Sequence, residues 1–309
     1  MEMSPSNRIE VAVIGAGLMG HGIAQVFARG GHLVAITDPD RAVRQASLEH
    51  IGRNLREEGV DPAPTLDNIR LAGSLEEAVA DADLVFEAVP EKLALKQQLF
   101  DAVARHAPPR SVLASNTSVI PITRIGEHLD ADARSRLLGT HWWNPPHLIP
   151  LVEVVRTTYT DAEVFERTFG WLQQVGKKPV EVRRDVTGFI GNRLQHALWR
   201  EAISLIEAGV CDGEAIDTVV KNSFGMRLPV LGPIENADLV GLELTRDVHR
   251  VMFPELNCDK TPAKVLDLLI AAGHSGMRAG QGLRTWTRED AEAVRRRLAT
   301  HLIDMTRRG

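Results

Sequence analysis

Residues 11–24, VAVIGAGLMGHGIA, decide the fold of this chain. An apolar run of strand type leads directly into a Gly-x-Gly-x-x-Gly turn, and a helical pattern follows it. In this context the first glycine permits a tight turn, the second lets the backbone approach a pyrophosphate, and the third lets the helix pack closely on the strand. The helix N-terminus adds amide donors and the positive end of a dipole. The residues predicted to hold a dinucleotide are Gly15, Gly17, Leu18, Met19 and Gly20.

An acidic residue indicates which dinucleotide is bound. Asp38 ends the next apolar run, roughly 20 residues beyond the glycine turn. A carboxylate at this place accepts hydrogen bonds from the adenosine ribose hydroxyls and repels a 2′-phosphate, which favours NAD over NADP. Arg41 lies nearby and keeps NADP open as an alternative. We therefore expect NAD as the cofactor.

Strand-like and helical patterns alternate through the first part of the chain. The strand-like runs are residues 8–15, 33–38, 83–89, 111–116, 137–141, 150–155 and 179–184. This alternation predicts an α/β fold with a Rossmann-type doubly wound, mostly parallel sheet. After Asp185 the patterns are helical, at residues 188–209, 212–223, 233–252, 261–273 and 288–306. We expect an NAD-binding domain at residues 1–185 and an all-helical domain at residues 186–309.

The composition excludes several classes of protein. The 309 residues are 44% hydrophobic and 25% charged, as in ordinary globular proteins, with a net charge of -5. This balance provides no basic field for nucleic acid or an anionic membrane. No apolar run reaches the roughly 18 residues of a membrane span, and the first ten residues lack the apolar core of a signal peptide. Cys211 and Cys258 lie far apart. We therefore expect a cytoplasmic protein without a disulfide scaffold or a metal site.

Residues 137–155, LLGTHWWNPPHLIPLVEVV, contain a histidine and a lone carboxylate on consecutive strand-like runs. Burying Glu153 in Leu-Val-Glu-Val-Val is costly unless the carboxylate is paired. The Asn-Pro-Pro turn can bring Glu153 against His141. Glu153 would then orient the imidazole and stabilise its protonated form, while the other ring nitrogen takes a proton from an alcohol. The alternative is that His141 is a structural histidine.

Several motifs in order carry a family resemblance. They are GAGLMGHGIA, FEAVPEKLALKQQLF, SNTSVIPIT, HWWNPPHLIPLVEVV, DVTGFIGNR and, more loosely, LGPIENADLVGLE. With these the chain resembles the NAD-dependent 3-hydroxyacyl-CoA dehydrogenase family over nearly its whole length. The resemblance implies that His141 is the catalytic base and Glu153 its partner. It also implies that the helical domain binds substrate and that the protein is a homodimer.

The same resemblance implies roles for further residues. Ser118 would hydrogen-bond the 3-oxygen of the substrate, and Asn192 would be an active-site asparagine. Asn144 would help to order His141. Glu91 and Lys96 are implied near the nicotinamide ribose, and Asn116 is also expected to bind the cofactor. Three alternatives stay open: Ser118 as a helix cap, Asn144 as a turn former, and Lys96 as a solvated helix charge.

The chain departs from the thioester branch of the family. CoA phosphates need cations, yet residues 44–75 contain no lysine and more acidic residues than arginines. His-Trp-Trp-Asn-Pro-Pro replaces the usual His-Phe-Phe-Asn-Pro-Val. The stretch GMRLPVLGP, residues 225–233, is similar to the small hydroxy-acid branch, which includes L-gulonate 3-dehydrogenase, lambda-crystallin and pyridine-carboxylate dehydrogenases. Arg227 could clamp a substrate carboxylate or be a surface arginine. Trp142 and Trp143 alternate across a strand, so one is expected in the core and the other, assigned to Trp143, at the substrate.

The leading hypothesis is an NAD-dependent dehydrogenase that oxidises the secondary hydroxyl of a small L-3-hydroxy acid. The first alternative is the same chemistry on an L-3-hydroxyacyl-CoA, such as 3-hydroxybutyryl-CoA. The second is a crystallin-like protein that binds NAD without turnover. The expected partners are a small-molecule substrate and a second copy of the chain, with no nucleic acid, membrane or metal.

Overall fold

The computed structural model of this chain describes residues 8–308. The prediction that no signal peptide is present rests on the first ten residues, most of which lie outside this range. Two compact units divide the chain: one runs over Met1–Asn192 and His301–Gly309, and the other over Arg193–Thr300. The division falls inside a helix, a few residues beyond Asp185. The proposed domain boundary at Asp185 stays a prediction.

The first unit contains one eight-stranded sheet. Its strands are β1 (Glu10–Ile14), β2 (Leu33–Thr37), β3 (Ile69–Leu71), β4 (Leu84–Glu87), β5 (Val112–Ser115), β6 (Leu137–Trp142), β7 (Leu151–Val155) and β8 (Lys178–Val182). Their spatial order is β3-β2-β1-β4-β5-β6-β7-β8. Neighbouring strands run parallel except β6 and β7, which are antiparallel. The prediction of a doubly wound, mostly parallel sheet is confirmed.

Helices cover both faces of this sheet. They are α1 (Leu18–Arg29), α2 (Arg41–Glu57), α3 (Ala63–Leu66), α4 (Leu75–Val79), α5 (Leu93–His106), α6 (Ile122–Ile125), α7 (Ala131–Ser135) and α8 (Ala162–Gln174). One apolar core contains Phe27, Phe86 and Trp142, and a second contains Phe100 and Leu113. Because the central strands are buried on both faces, they are nearly continuous apolar runs.

The strand order reverses direction between β1 and β4. In open α/β sheets, ligands bind in the crevice beyond the carboxyl ends of the strands at this reversal. The glycine turn follows β1, and Glu87 ends β4. The fold therefore brings the predicted dinucleotide-binding turn to the edge of the sheet where such ligands bind.

The second unit is helical, apart from isolated bridges. Its helices are α9 (Gly191–Glu207), which begins in the first unit, α10 (Gly213–Lys221), α11 (Pro233–Val240), α12 (Leu242–Met252), α13 (Lys264–Ala271) and α14 (Arg288–Arg308), which ends in the first unit. The single helix predicted over residues 233–252 is wrong: Gly241, at φ 101°, separates α11 from α12. That backbone conformation is available to glycine and interrupts a right-handed helix.

Residues 8–308 contain neither a candidate membrane span nor a candidate metal cluster. No helix in this range is long and apolar enough to cross a membrane. The same residues contain no group of three or more His, Cys, Asp or Glu side chains arranged to hold a metal ion.

Candidate active site

The glycine turn is shaped to receive a group that the backbone must approach closely. Gly15 has φ 95°, and a Cβ on it would lie 2.6 Å from the carbonyl oxygen of Ala88. A Cβ on Gly20 would collide with the carbonyl of Gly15. At Gly17, in contrast, no described atom lies within 4 Å of an ideal Cβ, and no described side chain caps α1. Gly15 and Gly20 are therefore needed for packing, while Gly17 faces open space beside free helix amides, as a pyrophosphate requires.

Asp38 is held against this turn by backbone hydrogen bonds. Its Oδ2 accepts from the amide of Ala16 at 2.9 Å, and its Oδ1 accepts from the amide of Asp40 at 2.9 Å. The guanidinium of Arg44 donates to the Asp38 carbonyl at 2.7 Å. The half-buried carboxylate is thus oriented beside the turn, where a ribose diol would meet it. The glycine turn and Asp38 together fit an NAD molecule.

His141 and Glu153 form a buried pair. They are register partners on β6 and β7, so their side chains project from the same face of the sheet. The distance from His141 Nδ1 to Glu153 Oε2 is 2.7 Å, and the two residues are 4% and 1% exposed. With Nδ1 donating to the carboxylate, Nε2 is the ring nitrogen with a free lone pair.

The second oxygen of Glu153 binds the start of α9. Oε1 accepts hydrogen bonds from the amides of Ile190 at 2.8 Å and Gly191 at 3.0 Å. Burial acts to raise the pKa of Glu153, but the hydrogen bonds from His141 and these two amides outweigh it and lower the pKa below its usual value. The carboxylate is therefore kept ionised at neutral pH.

Two aromatic rings flank His141. The ring centroid of Trp143 lies 5.3 Å from that of His141, and the centroid of Phe189 lies 5.6 Å from it. Phe189 is buried at φ 48°, in the left-handed region that a bulky residue rarely adopts. A Cβ on Gly191 would collide with the Trp143 indole, so glycine at this position lets the start of α9 approach that ring.

The two adjacent tryptophans have different environments. Trp142 is 2% exposed and packs in the core against Phe27 and Phe86, with ring centroids 6.3 Å and 5.8 Å away. Trp143 is half-buried beside His141. The strand alternation predicted one tryptophan for the core and one for the site, and the structure places Trp142 in the core and Trp143 next to the histidine.

Ser118 and Asn192 are joined by a hydrogen bond. Asn192 Nδ2, at the start of α9, donates to the Ser118 carbonyl at 3.0 Å. The Ser118 amide donates to Glu91 Oε1 at 2.9 Å. The Ser118 side chain is exposed, and its hydroxyl makes no hydrogen bond within residues 8–308. The hydroxyl is thus available to a ligand.

Lys96 is buried between two carboxylates. Its Nζ lies 2.7 Å from Glu87 Oε1 and 3.2 Å from Glu91 Oε2, and the Lys96 and Glu87 side chains are 1% and 0% exposed. The reading of Lys96 as a solvated helix charge is therefore wrong. The sequence interpretation missed Glu87, although Leu-Val-Phe-Glu sets a lone carboxylate in an apolar strand, the same signal that singled out Glu153.

The two asparagines at this edge have different surroundings. Asn116 Oδ1 accepts from the amide of Trp142 at 3.0 Å and so ties the loop after β5 to the end of β6. Asn144 is exposed and precedes Pro145 through a cis peptide bond. No hydrogen bond joins its side chain to His141 in the described part of the chain. The roles predicted for both asparagines stay predictions.

A buried lysine supports the turn between β6 and β7. Lys177 Nζ donates to the carbonyls of Pro146 at 2.5 Å and Ile149 at 2.9 Å, and it lies 5.3 Å from the Trp142 ring centroid. Burial lowers the pKa of Lys177 to about 8. No pattern in the sequence distinguished Lys177 from its exposed neighbour Lys178.

Arg227 belongs to the second unit. It follows a short 3-10 turn, Phe224–Met226, and its side chain is exposed. The guanidinium Nη1 lies 3.5 Å from Asn236 Oδ1, at the limit of a hydrogen bond. Its predicted contact with a substrate carboxylate stays a prediction.

Comparison with known proteins gives two family matches and several relatives. Residues 10–186 match the 3-hydroxyacyl-CoA dehydrogenase NAD binding domain, and residues 188–286 match the 3-hydroxyacyl-CoA dehydrogenase C-terminal domain. A probable 3-hydroxybutyryl-CoA dehydrogenase of Bacillus subtilis is 34% identical over 88% of this chain and 96% of its own length. An L-carnitine dehydrogenase of Streptomyces coelicolor is 38% identical over 78% of this chain and 76% of its own length.

Another relative matches over almost the full length. The 5-formyl-3-hydroxy-2-methylpyridine 4-carboxylate 5-dehydrogenase of Mesorhizobium japonicum is 33% identical over 96% of this chain and 97% of its own length. A crystal structure of an enzyme of that name, described as an NAD+-dependent dismutase, has a TM-score of 0.89, 32% identity, and coverage of 97% of this chain and 98% of the other. With its glycine turn, its acid at the end of β2 and both family domains in order, this chain belongs to the 3-hydroxyacyl-CoA dehydrogenase family.

Proposed function

We propose that this NAD-dependent dehydrogenase oxidises the secondary hydroxyl of a small L-3-hydroxy acid, or a related hydroxy-carboxylate, to the ketone. The observation that carries the proposal is the buried His141–Glu153 pair, 2.7 Å apart, at the edge of the sheet that also presents the glycine turn. A histidine with one nitrogen fixed by a carboxylate and the other free is suited to remove a proton at neutral pH.

In the proposed reaction the side chains of the site have distinct roles. Glu153 holds the His141 ring through Nδ1, so that Nε2 can accept the hydroxyl proton, and it stabilises the imidazolium that forms. The Ser118 hydroxyl donates a hydrogen bond to the substrate oxygen as it becomes a carbonyl. The glycine turn and Asp38 would hold NAD, which would supply the hydride acceptor for the carbon that bears the hydroxyl. Phe189 and Trp143 exclude water from the sides of the imidazole.

Three features favour a small acid over a CoA thioester. The pyridine-carboxylate relative and this chain match over almost their full lengths. The helical excursion after β2 contains no lysine between residues 44 and 75, so it offers few cations to CoA phosphates. Arg227 is an exposed guanidinium in the stretch that resembles the small-acid branch. The alternative is an L-3-hydroxyacyl-CoA dehydrogenase. The Bacillus subtilis relative supports it, because its identity to this chain, 34%, is comparable with the 33% of the pyridine-carboxylate relative.

An initial-rate panel with NAD distinguishes these substrates. It contains L-3-hydroxybutyryl-CoA, free L-3-hydroxybutyrate, L-gulonate, carnitine and an aromatic hydroxymethyl acid. We expect a higher kcat/KM for one of the free acids than for the thioester, and Arg227→Ala should raise KM for that acid. A higher kcat/KM for the thioester would reverse the proposal. Absence of turnover on all five, with NAD bound, would favour the non-catalytic crystallin-like alternative.

We also propose a cytoplasmic homodimer that acts on a small molecule and does not bind nucleic acid or a membrane. The helices of the second unit expose large apolar side chains, among them Leu194, Trp199, Leu239, Val251 and Leu268. Apolar surface of this extent is typical of subunit interfaces. Light scattering after size-exclusion chromatography should give twice the chain mass of 34.0 kDa. A monomer mass at micromolar concentration would contradict the dimer.

A further inference from the structure

We propose that Glu87 is a positioning residue of the active site, acting through Lys96 and Glu91 on the backbone at Ser118. Glu87 does not reach the candidate catalytic residues itself. It is the buried end of a chain of hydrogen bonds that leads from the middle of the sheet to the serine. This inference rests on the proposed function.

The inner end of the chain is fully satisfied. Glu87 Oε1 accepts from Lys96 Nζ at 2.7 Å and from the amide of Val89 at 2.8 Å. Oε2 accepts from the Ser115 hydroxyl at 2.6 Å. Since Glu87 is the last residue of β4 and Ser115 the last of β5, the carboxylate is fixed by two adjacent strands and their loops. A buried carboxylate with three donors is held in one position.

Lys96 transmits this position to Glu91. Its ammonium has three hydrogen atoms, and the three acceptors around it are Glu87 Oε1, Glu91 Oε2 and, at 3.4 Å, the carbonyl of Val89. All three acceptors are protein atoms, so no hydrogen of the ammonium is left for a ligand. Lys96 therefore acts by positioning Glu91. The shorter distance is to Glu87, which therefore fixes the lysine more tightly than Glu91 does.

Glu91 in turn fixes the loop that carries Ser118. Its Oε1 accepts from the Thr117 hydroxyl at 2.5 Å and from the amides of Ser118 at 2.9 Å and Val119 at 3.1 Å. Burial acts to raise the pKa of Glu91, but the hydrogen bonds and Lys96 outweigh it and lower the pKa, so the carboxylate is ionised at neutral pH. The Ser118 carbonyl accepts from Asn192 at 3.0 Å. A shift of Glu91 would therefore move the serine and its contact with the asparagine together.

The charge arrangement explains why a carboxylate, and not an amide, stands at position 87. Two carboxylates share one ammonium: Lys96 and Glu87 are buried, whereas the Glu91 side chain is 35% exposed. If residue 87 were neutral, the ammonium would be drawn towards Glu91, away from its present position closer to Glu87. The hydrogen bonds that the Glu91 oxygens accept from the lysine and from the loop amides would then change. Displacement of a reacting group by about 1 Å can cost about 100-fold in rate.

A double-mutant cycle tests the proposal. Glu87→Gln keeps the shape of the side chain and removes its charge, and we expect kcat to fall about 10-fold or more while the NAD Kd changes less than threefold. Lys96→Met should also lower kcat. If Glu87 acts through Lys96, adding Glu87→Gln to Lys96→Met should lower kcat no further. A kcat of Glu87→Gln within twofold of wild type, or effects that multiply in the double variant, would overturn the proposal.

Amide hydrogen exchange supplies a measurement that needs no substrate. Exchange at Ser118 and Val119 should be about 10-fold faster in Glu87→Gln than in wild type, because their acceptor is no longer fixed. Asp83→Asn is the matched control: Asp83 precedes the other end of β4 and pairs with Arg110 at 2.9 Å. It should leave both the exchange and kcat unchanged. Unaltered exchange in Glu87→Gln would contradict the inference even if no substrate were known, whereas a failed substrate panel would contradict only the proposed function.

Discussion

Glu153 stands directly opposite His141 across the antiparallel pair of β6 and β7, and its two oxygens serve different elements. Oε2 lies 2.7 Å from His141 Nδ1. Oε1 accepts hydrogen bonds from the amides of Ile190 and Gly191 at the start of α9. One side chain thus determines which nitrogen of the histidine is free and where α9 begins.

Replacing the histidine should separate chemistry from cofactor binding. His141→Ala should lower kcat by roughly 10²–10⁴, the contribution of a general base, because the proposed proton acceptor is removed. The NAD Kd, measured by quenching of tryptophan fluorescence, should stay within about threefold of wild type because the glycine turn is untouched. An exposed histidine, His106, gives the control variant His106→Ala, which should keep wild-type kcat. Equal kcat in both variants would remove His141 from the reaction.

Replacing the carboxylate should change both rate and acid stability. In Glu153→Gln the amide oxygen can still accept from the backbone, but its NH2 group then faces Nδ1 and favours the tautomer with Nε2 protonated. We expect kcat to fall roughly 10³- to 10⁴-fold.

The pH dependence of stability follows from the lowered pKa of Glu153. A carboxyl whose folded pKa lies below its unfolded value of 4.5 stabilises the fold above about pH 4.5, and this contribution is lost as the pH falls towards the folded pKa. The stability advantage of wild type over Glu153→Gln, measured by urea unfolding, should therefore shrink on acidification from about pH 6 to about pH 3. An advantage that stays constant over this range would mean that the carboxylate is not stabilised in the fold.

The coenzyme preference should depend on Asp38. Asp38→Gly removes the carboxylate that repels a 2′-phosphate, so the ratio of kcat/KM for NAD to that for NADP should fall about 10-fold or more. Arg41→Ala removes the nearby cation and should move the ratio in the opposite direction. The measurement is a pair of initial-rate series with each coenzyme at fixed substrate. An unchanged ratio in Asp38→Gly would exclude the ribose contact.

Lys177 should make the stability of the protein depend on alkaline pH. Burial lowers its pKa from 10.5 to about 8, so between these values the folded state releases the proton before the unfolded state does. Through this group, stability rises with pH in that window. The stability of Lys177→Met relative to wild type should therefore decrease from pH 8 to pH 10.5. The neighbouring exposed variant Lys178→Met should show no such trend. Parallel pH curves for the two variants would contradict the burial of an ionisable lysine beneath the turn.

The sequence predicted those parts of the fold and site that have a local pattern. The buried strands are apolar runs, so they could be recognised, and the glycine turn has its own spacing. Strand β3, Ile69–Leu71, was missed because it has three residues and pairs with one neighbour only. The sequence pattern predicts one helix across Gly241, because the positive φ of this residue depends on how α11 and α12 pack.

At the site, too, only contacts with a local sequence pattern could be predicted. The pairing of His141 with Glu153 could be predicted because the two residues lie on consecutive strands joined by the Asn-Pro-Pro turn. Lys177 could not, since its acceptors are the backbone carbonyls of Pro146 and Ile149, and nothing in the sequence distinguishes such carbonyls from others. Glu87 carried a recognisable signal, but its partners Lys96 and Ser115 come from two other elements that only the fold brings together.

The adjacent tryptophans bear on how the site could be redesigned. Trp142 fills the core between Phe27 and Phe86, whereas Trp143 stands beside His141 and against Gly191. The tryptophan that supports the sheet and the one that borders the histidine are thus separate residues. A library of smaller side chains at position 143 could widen the space beside the histidine without emptying the core. Under the proposed function, substitutions at position 143 should therefore change substrate preference, while Trp142 keeps the core packed.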